Sequence, residues 1–186
     1  MLTVLALAPA SSDGRSAKAV HASAGPRIIL IIRHAEKPEG DGDKDPNLSK
    51  RGYERAAALA RVIPANFPKP DYLVATKKSS HSMRPIETIQ PLSKSLHEEI
   101  EETFKDEDFA ALAQHLLTDP RYSNKTVLIS WHHGKIPELA HALGAAEAPE
   151  KWSGKVFDRV WEIDYQNHKA SFKDLPQKAL SGDSDK

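Results

Sequence analysis

The chain has no cysteine among its 186 residues, which excludes disulfides, thiolate zinc sites and a cysteine nucleophile. It also lacks any excess of charge, with 26 Lys and Arg against 26 Asp and Glu. That balance speaks against a broad nucleic-acid-binding or anionic-membrane surface, so recognition of an anion has to be local. The apolar stretch Leu2 to Ala8 falls far short of the ~20 residues that a spanning helix needs. Internal repeats are absent. The acidic stretch between Pro38 and Pro46 does not have the spacing of an EF-hand and reads as a solvated loop.

Residues 1–26 differ from the rest. Leu2 to Ala8 is followed by an Ala- and Ser-rich stretch from Pro9 to Pro26, similar to the tail of a secretory signal with a linker, although no positively charged segment precedes it. The expectation is a tail or incomplete export signal over 1–26, favouring a periplasmic or secreted location over a cytoplasmic one, ahead of a single domain over 27–182. A chain of this length suits one α/β domain with one substantial core.

That domain begins with Arg27-Ile28-Ile29-Leu30-Ile31-Ile32-Arg33-His34. Five consecutive aliphatic residues show no alternation, so both faces should be covered, as in a central parallel strand. Ligands in such sheets sit at the carboxyl ends of the strands, where Arg33 and His34 fall. One carries a fixed forked charge, and the other can act as nucleophile or base near neutral pH.

Downstream, Ser49 is placed to cap a helix whose buried face is Ala56, Leu59, Ala60 and Ile63, with Pro64 as its stop. Asp71–Thr76 reads as a strand leading through Ser79, Ser80 and His81 to a helix near Pro85, which puts Arg84 at a helix start. A short strand is expected over 99–104. Asp106, Glu107 and Asp108 open a helix with the stripe Phe109, Leu112, Ala113, Leu116 and Leu117, stopped by Asp119-Pro120. Thr126–Ser130 is a third buried strand, ending at Trp131-His132-His133-Gly134. Ile136, Leu139, Ala140 and Leu143 mark a last helix before Gly144, and 156–165 with 169–173 reads as a closing hairpin turning near Asn167 and His168. Alternating strands and amphipathic helices predict an α/β fold: a three-layer α/β/α sandwich around a mostly parallel sheet, with strands 27–33, 71–76 and 126–131 adjacent in its core.

Four segments in order resemble the histidine phosphatase superfamily: Arg33-His34-Ala35-Glu36-Lys37-Pro38, Asn47 to Ala56, Ser80 through Arg84 to Thr88, and His132-His133-Gly134-Lys135-Ile136-Pro137. Leu175 to Asp183 is similar to the closing segment of one subgroup. The resemblance implies a phosphoglycerate mutase-like fold and a phosphatase working through a phosphohistidine. It makes His34 the nucleophile and Arg33, Arg84 and His132 the phosphate pocket, with no cofactor. His133 departs from the small residue usual at its position and is expected at the rim. Lys37, inside the matched signature, is the candidate for substrate contact. Lys77, Lys78, His81 and Lys135 fall near the same strand ends.

The residue types suit that chemistry. A phosphate monoester carries about two negative charges, which two guanidinium forks can hold without a metal. His34 must be neutral to attack phosphorus, and its other ring nitrogen needs a partner, most simply a backbone carbonyl. His132, His133 and His141 lack the spacing and the carboxylate companions of a helical zinc motif. The proton donor has no clear motif; Asp106 is the candidate, with Glu102 and Glu107 as rivals. Short sequence between Arg84 and His132 leaves little for the lid a mutase needs, which favours a phosphatase. The expected partner is a phosphorylated small molecule or phosphoprotein, not nucleic acid or a membrane. A catalytically weak phosphate-recognition module and a mutase are the alternatives. The sequence leaves the substrate and the oligomeric state open.

Overall fold

The computed structural model describes residues 25–40, 45–167 and 169–184, so most of the expected export segment, part of the acidic loop and His168 lie outside the described residues. Its element order is β1 (Ile28–Arg33), α1 (Lys50–Asn66), β2 (Tyr72–Ala75), α2 (Arg84–Leu96), β3 (Ile100–Glu101), α3 (Phe109–Thr118), β4 (Thr126–Trp131), α4 (Ile136–Ala142), β5 (Arg159–Gln166) and β6 (Lys169–Pro176). The sheet runs β3-β2-β4-β1-β5-β6. β3, β2, β4 and β1 are parallel, and β5 and β6 complete the sheet in antiparallel fashion.

Every residue of β1 and β4 is buried. Successive side chains of β1 point to opposite faces. Ile29 and Ile31 pack with Leu112 and Leu116 of α3 and Leu139 of α4, whereas Ile28, Leu30 and Ile32 pack with Leu59 and Ile63 of α1 and Ile89 and Leu92 of α2. The unbroken aliphatic run thus serves two cores, one on each side of the sheet. Three layers result, with α1 and α2 on one face and α3 and α4 on the other. Each fully buried Ile or Leu removes apolar surface worth about 1.5–3 kcal/mol, which makes β1 the element least tolerant of polar substitution.

Ser49 caps α1 by accepting from Gly52 N–H, and Gly144 follows α4 with a φ of 91°. Several boundaries differ from the sequence expectation. α1 continues through Pro64 to Asn66, because a proline in the last turn costs one hydrogen bond whose loss Phe67 N–H bonding to Ile63 O helps to offset. β3 is only two residues long. β5 begins at Arg159 rather than 156, because the Val156 carbonyl is turned away from the sheet to accept from Arg33 and Trp152. Beyond β6 the chain runs back over α1, and Asp183, just past the expected boundary at 182, pairs with Arg55.

Candidate active site

β1 and β4 are neighbours in register, so their carboxyl ends deliver His34 and His132 to one place. The ladder extends one residue past β1: His34 N–H donates to Trp131 O at 2.9 Å. The two imidazoles meet edge to face, with ring centres 5.1 Å apart and planes at 67°. His34 is 3% exposed, and its Nδ1 lies 2.7 Å from Ala35 O. With Nδ1–H donated to that carbonyl, Nε2 keeps its lone pair.

Arg84 is brought alongside by the first turn of α2. Thr88 Oγ accepts from Ala35 N–H at 2.8 Å and donates to Arg84 O at 2.7 Å, tying the helix start to the loop after β1. Arg84 Nη1 donates to Asp45 O at 2.6 Å. Arg33 is held by the segment before β5: its Nη1 donates to Gly154 O at 2.6 Å and Val156 O at 3.2 Å, and its guanidinium carbon lies 3.8 Å above the Phe157 ring. Both arginines are buried and anchored on backbone carbonyls, which fixes the directions of their remaining donors.

The electrostatics follow from that crowding. His34 is held well below the ordinary imidazole value, first by burial and then by His132, against the opposing pull of the Ala35 carbonyl. His132 is lowered to about 4 by burial, with Arg84, His133 and Arg33 adding to it. Burial brings Arg33 down to about 10. Both central imidazoles are therefore neutral at pH 7, beside two cations. Such a site can offer a neutral nitrogen nucleophile and several donors to one anionic group.

Half-buried His133 is lowered by burial and then by Arg33 and Lys37, and its Nε2 would lie 3.3 Å from a Cβ at Gly154, whose carbonyl holds Arg33. Asp106, in the 3-10 turn before α3, is raised to about 6 by burial and then Glu107, against Lys135. The Trp131 side chain, whose Nε1 is buried, works against that rise as well. Of the carboxylates, Glu107 is the one that pulls His132 back up. The structure thus gathers Arg33, His34, Arg84 and His132 together and keeps Asp106 and Glu107 on the α3 side of the site. Lys78 and Lys135 are engaged with Glu102 and Glu138, and Lys77 and His81 are exposed. Among the described residues, no three His, Cys, Asp or Glu side chains converge as a metal site, and no helix is long and apolar enough to cross a membrane.

Residues 29–169 match the histidine phosphatase superfamily (branch 1). The chain belongs to that family. No curated protein matches it by sequence. Solved structures similar to this histidine phosphatase chain include the protein histidine phosphatase SixA complexed with tungstate, at 13% identity and a TM-score of 0.59 over 81% of this chain and 97% of that one. A mycobacterial glucosyl-3-phosphoglycerate phosphatase with inorganic phosphate aligns at 15% identity and 0.56, over 80% and 95%. The phosphoglycerate mutase of Bacillus anthracis aligns at 14% and 0.51, over 82% and 94%. At these identities the likeness is one of fold, and the fold is phosphoglycerate mutase-like.

Sequence reasoning missed Phe157, Thr88 and Arg55 as parts of the site's surroundings. An aromatic just before a strand carries no signal of its own. Arg55 stands inside the second matched segment and one turn before Leu59 of the buried face of α1, but nothing near it in the sequence shows the carboxylates it meets.

Proposed function

We propose that the protein is a metal-independent phosphatase that hydrolyses phosphate monoesters through a phosphohistidine on His34. The observation that carries this is the pair of neutral imidazoles 5.1 Å apart beside two anchored arginines. Arg33 and Arg84 bind the phosphoryl oxygens. His34 Nε2 attacks phosphorus and the bond from phosphorus to the ester oxygen breaks, while His132 donates to a phosphoryl oxygen as charge shifts in the transition state. Asp106, the proposed acid, gives its proton to the departing oxygen; its raised carboxyl supports that role near neutral pH. In the second step Asp106 takes a proton from water, the water oxygen attacks phosphorus, the N–P bond breaks, and inorganic phosphate leaves with His34 neutral again. Lys37 and His133 contact the rest of the substrate at the mouth. That substrate is a phosphorylated small molecule or phosphoprotein, and the catalytic unit runs from residue 27 through the closing segment.

Rapid-quench trapping with labelled aryl phosphate tests the proposal. An acid-labile phosphoenzyme is expected in the wild type, unaffected by chelator and absent in His34→Ala. Activity lost to chelator and restored by a divalent ion, or a phosphoenzyme that persists in His34→Ala, would overturn it.

A further inference from the structure

Arg55 makes a closed set of bonds that the proposed chemistry does not use. Its Nε donates to both carboxylate oxygens of Glu36, at 3.1 and 3.0 Å. Nη2 donates to Glu36 Oε1 at 2.9 Å and Asp183 Oδ1 at 2.8 Å, and Nη1 to Asp183 Oδ2 at 2.8 Å and Gln177 Oε1 at 3.1 Å. Every N–H of the guanidinium is thereby used. The side chains of Arg55 and Asp183 are both 3% exposed. Asp183 Oδ2 also accepts from the N–H groups of Ala179 and Leu180, and Gln177 Nε2 donates to Arg159 O. Burial pushes Asp183 upward, but the hydrogen bonds from Arg55 and Leu180 outweigh it and hold the carboxyl below its usual value.

A clamp that only stapled the closing segment to α1 would need no Glu36. Glu36 stands two places from His34 in the sequence and is itself pinned. Its carbonyl accepts from Ser49 N–H at 2.9 Å, and a Cβ at Gly52 would collide with that same oxygen. Between Glu36 and His34 lies Ala35, whose N–H is held by Thr88 and whose carbonyl is the acceptor for His34 Nδ1. The Ala35–Glu36 peptide is therefore fixed at both ends, and its oxygen sets both the tautomer and the tilt of the His34 ring.

We propose that Asp183 is a positioning residue for the nucleophile: acting through Arg55 and Glu36, it holds the Ala35 carbonyl where it orients the His34 ring. The closing segment, although it touches no substrate, is then part of what makes His34 reactive. This rests on His34 being the nucleophile.

The test is single-turnover phosphorylation by a labelled aryl phosphate, alongside inhibition by inorganic phosphate and the melting temperature, in Asp183→Asn, Glu36→Gln, their double variant and Arg55→Lys. Phosphorylation of His34 should slow about tenfold or more in each single variant, the order of effect seen when a group orienting a reactive side chain is lost. Inhibition by phosphate should stay within about twofold, because Arg33 and Arg84 are anchored elsewhere. The double variant should be scarcely slower than the worse single one, since both residues act through one clamp. Arg55→Lys keeps the buried charge and gives a second readout should an amide variant fold poorly. A lower melting temperature with unchanged phosphorylation per folded molecule would reduce the clamp to a staple and end the proposal, as would rate and phosphate affinity falling by the same factor. A wild type that forms no phosphoenzyme would instead reject the nucleophile, and this inference with it.

Discussion

The Arg33 guanidinium lies 3.8 Å above the ring of Phe157 while its Nη1 is held by two carbonyls of the same segment. The loop before β5 thus aims one of the two cations that flank His34. Phe157→Ala removes a partly buried cation–π contact worth about 0.5–2 kcal/mol. Inhibition by inorganic phosphate should weaken by about 2- to 30-fold, with Phe157→Tyr near wild type. An unchanged inhibition constant in Phe157→Ala would show that the carbonyls alone hold Arg33.

Arg84→Ala and His132→Ala should separate binding from rate. Losing Arg84 removes charge-assisted bonds worth about 1.5–3 kcal/mol each, so both KM and turnover should suffer by about tenfold or more. Loss of His132 should fall mainly on turnover. The double variant of His34 and His132 should be hardly worse than His34→Ala if the two act on one phosphoryl group as proposed. Additive losses in that double variant would argue against a shared target.

The pH profile has a definite sign. Both imidazoles are depressed in the folded protein, so the neutral form dominates above about 4 for His132 and from well below the ordinary imidazole value for His34. Phosphorylation of His34 by aryl phosphates should therefore hold across neutrality without the break near 6.5 expected of an unperturbed histidine. Stability follows the same direction: the unfolded chain takes up protons at these positions first, so stability falls as pH drops from about 6.5 toward 4. His132→Gln should flatten that part of a melting-temperature profile.

Asp106 is shifted the other way, to about 6. If it donates the proton, phosphorylation of His34 by alkyl phosphates slows as pH rises through that value. Asp106→Asn should remove the decline and slow phosphorylation of His34 by alkyl phosphates by about 100-fold or more, with much less effect on its phosphorylation by aryl phosphates. Equal losses on both substrate types would move the role to Glu102 or Glu107.

Thr88→Val should cost about 1–3 kcal/mol of stability, since it leaves the buried Ala35 N–H without its acceptor while keeping the side-chain shape. Chemical denaturation measures the loss. Turnover should fall with it, because the same hydroxyl joins the start of α2 to the loop carrying His34.

The sheet and its two cores were legible because β1 carries an unbroken aliphatic run and β4 is short and mostly apolar, the pattern of strands buried on both faces. Arg33, His34, Arg84 and His132 were picked out by the segments that resemble the family, and the structure brings the four together at element ends. Phe157 was not, because its function depends on a carbonyl-lined turn that local sequence does not encode. The Arg55 clamp was equally hidden. A buried arginine looks like a surface one until the carboxylates that neutralise it arrive from elsewhere in the chain.

Those carboxylates arrive from far apart. Arg55 and Asp183 are separated by 128 positions, so the clamp is among the longest loops this chain closes. A ribosome delivers the amino-terminal elements first, and β1 and α1 are made well before Asp183 exists. During synthesis the histidine and both arginines are present while the contact proposed to orient the ring is still missing. A nascent or carboxyl-terminally trimmed chain would then hold the parts of a phosphatase without its reactivity, and competence would appear only when the final segment docks.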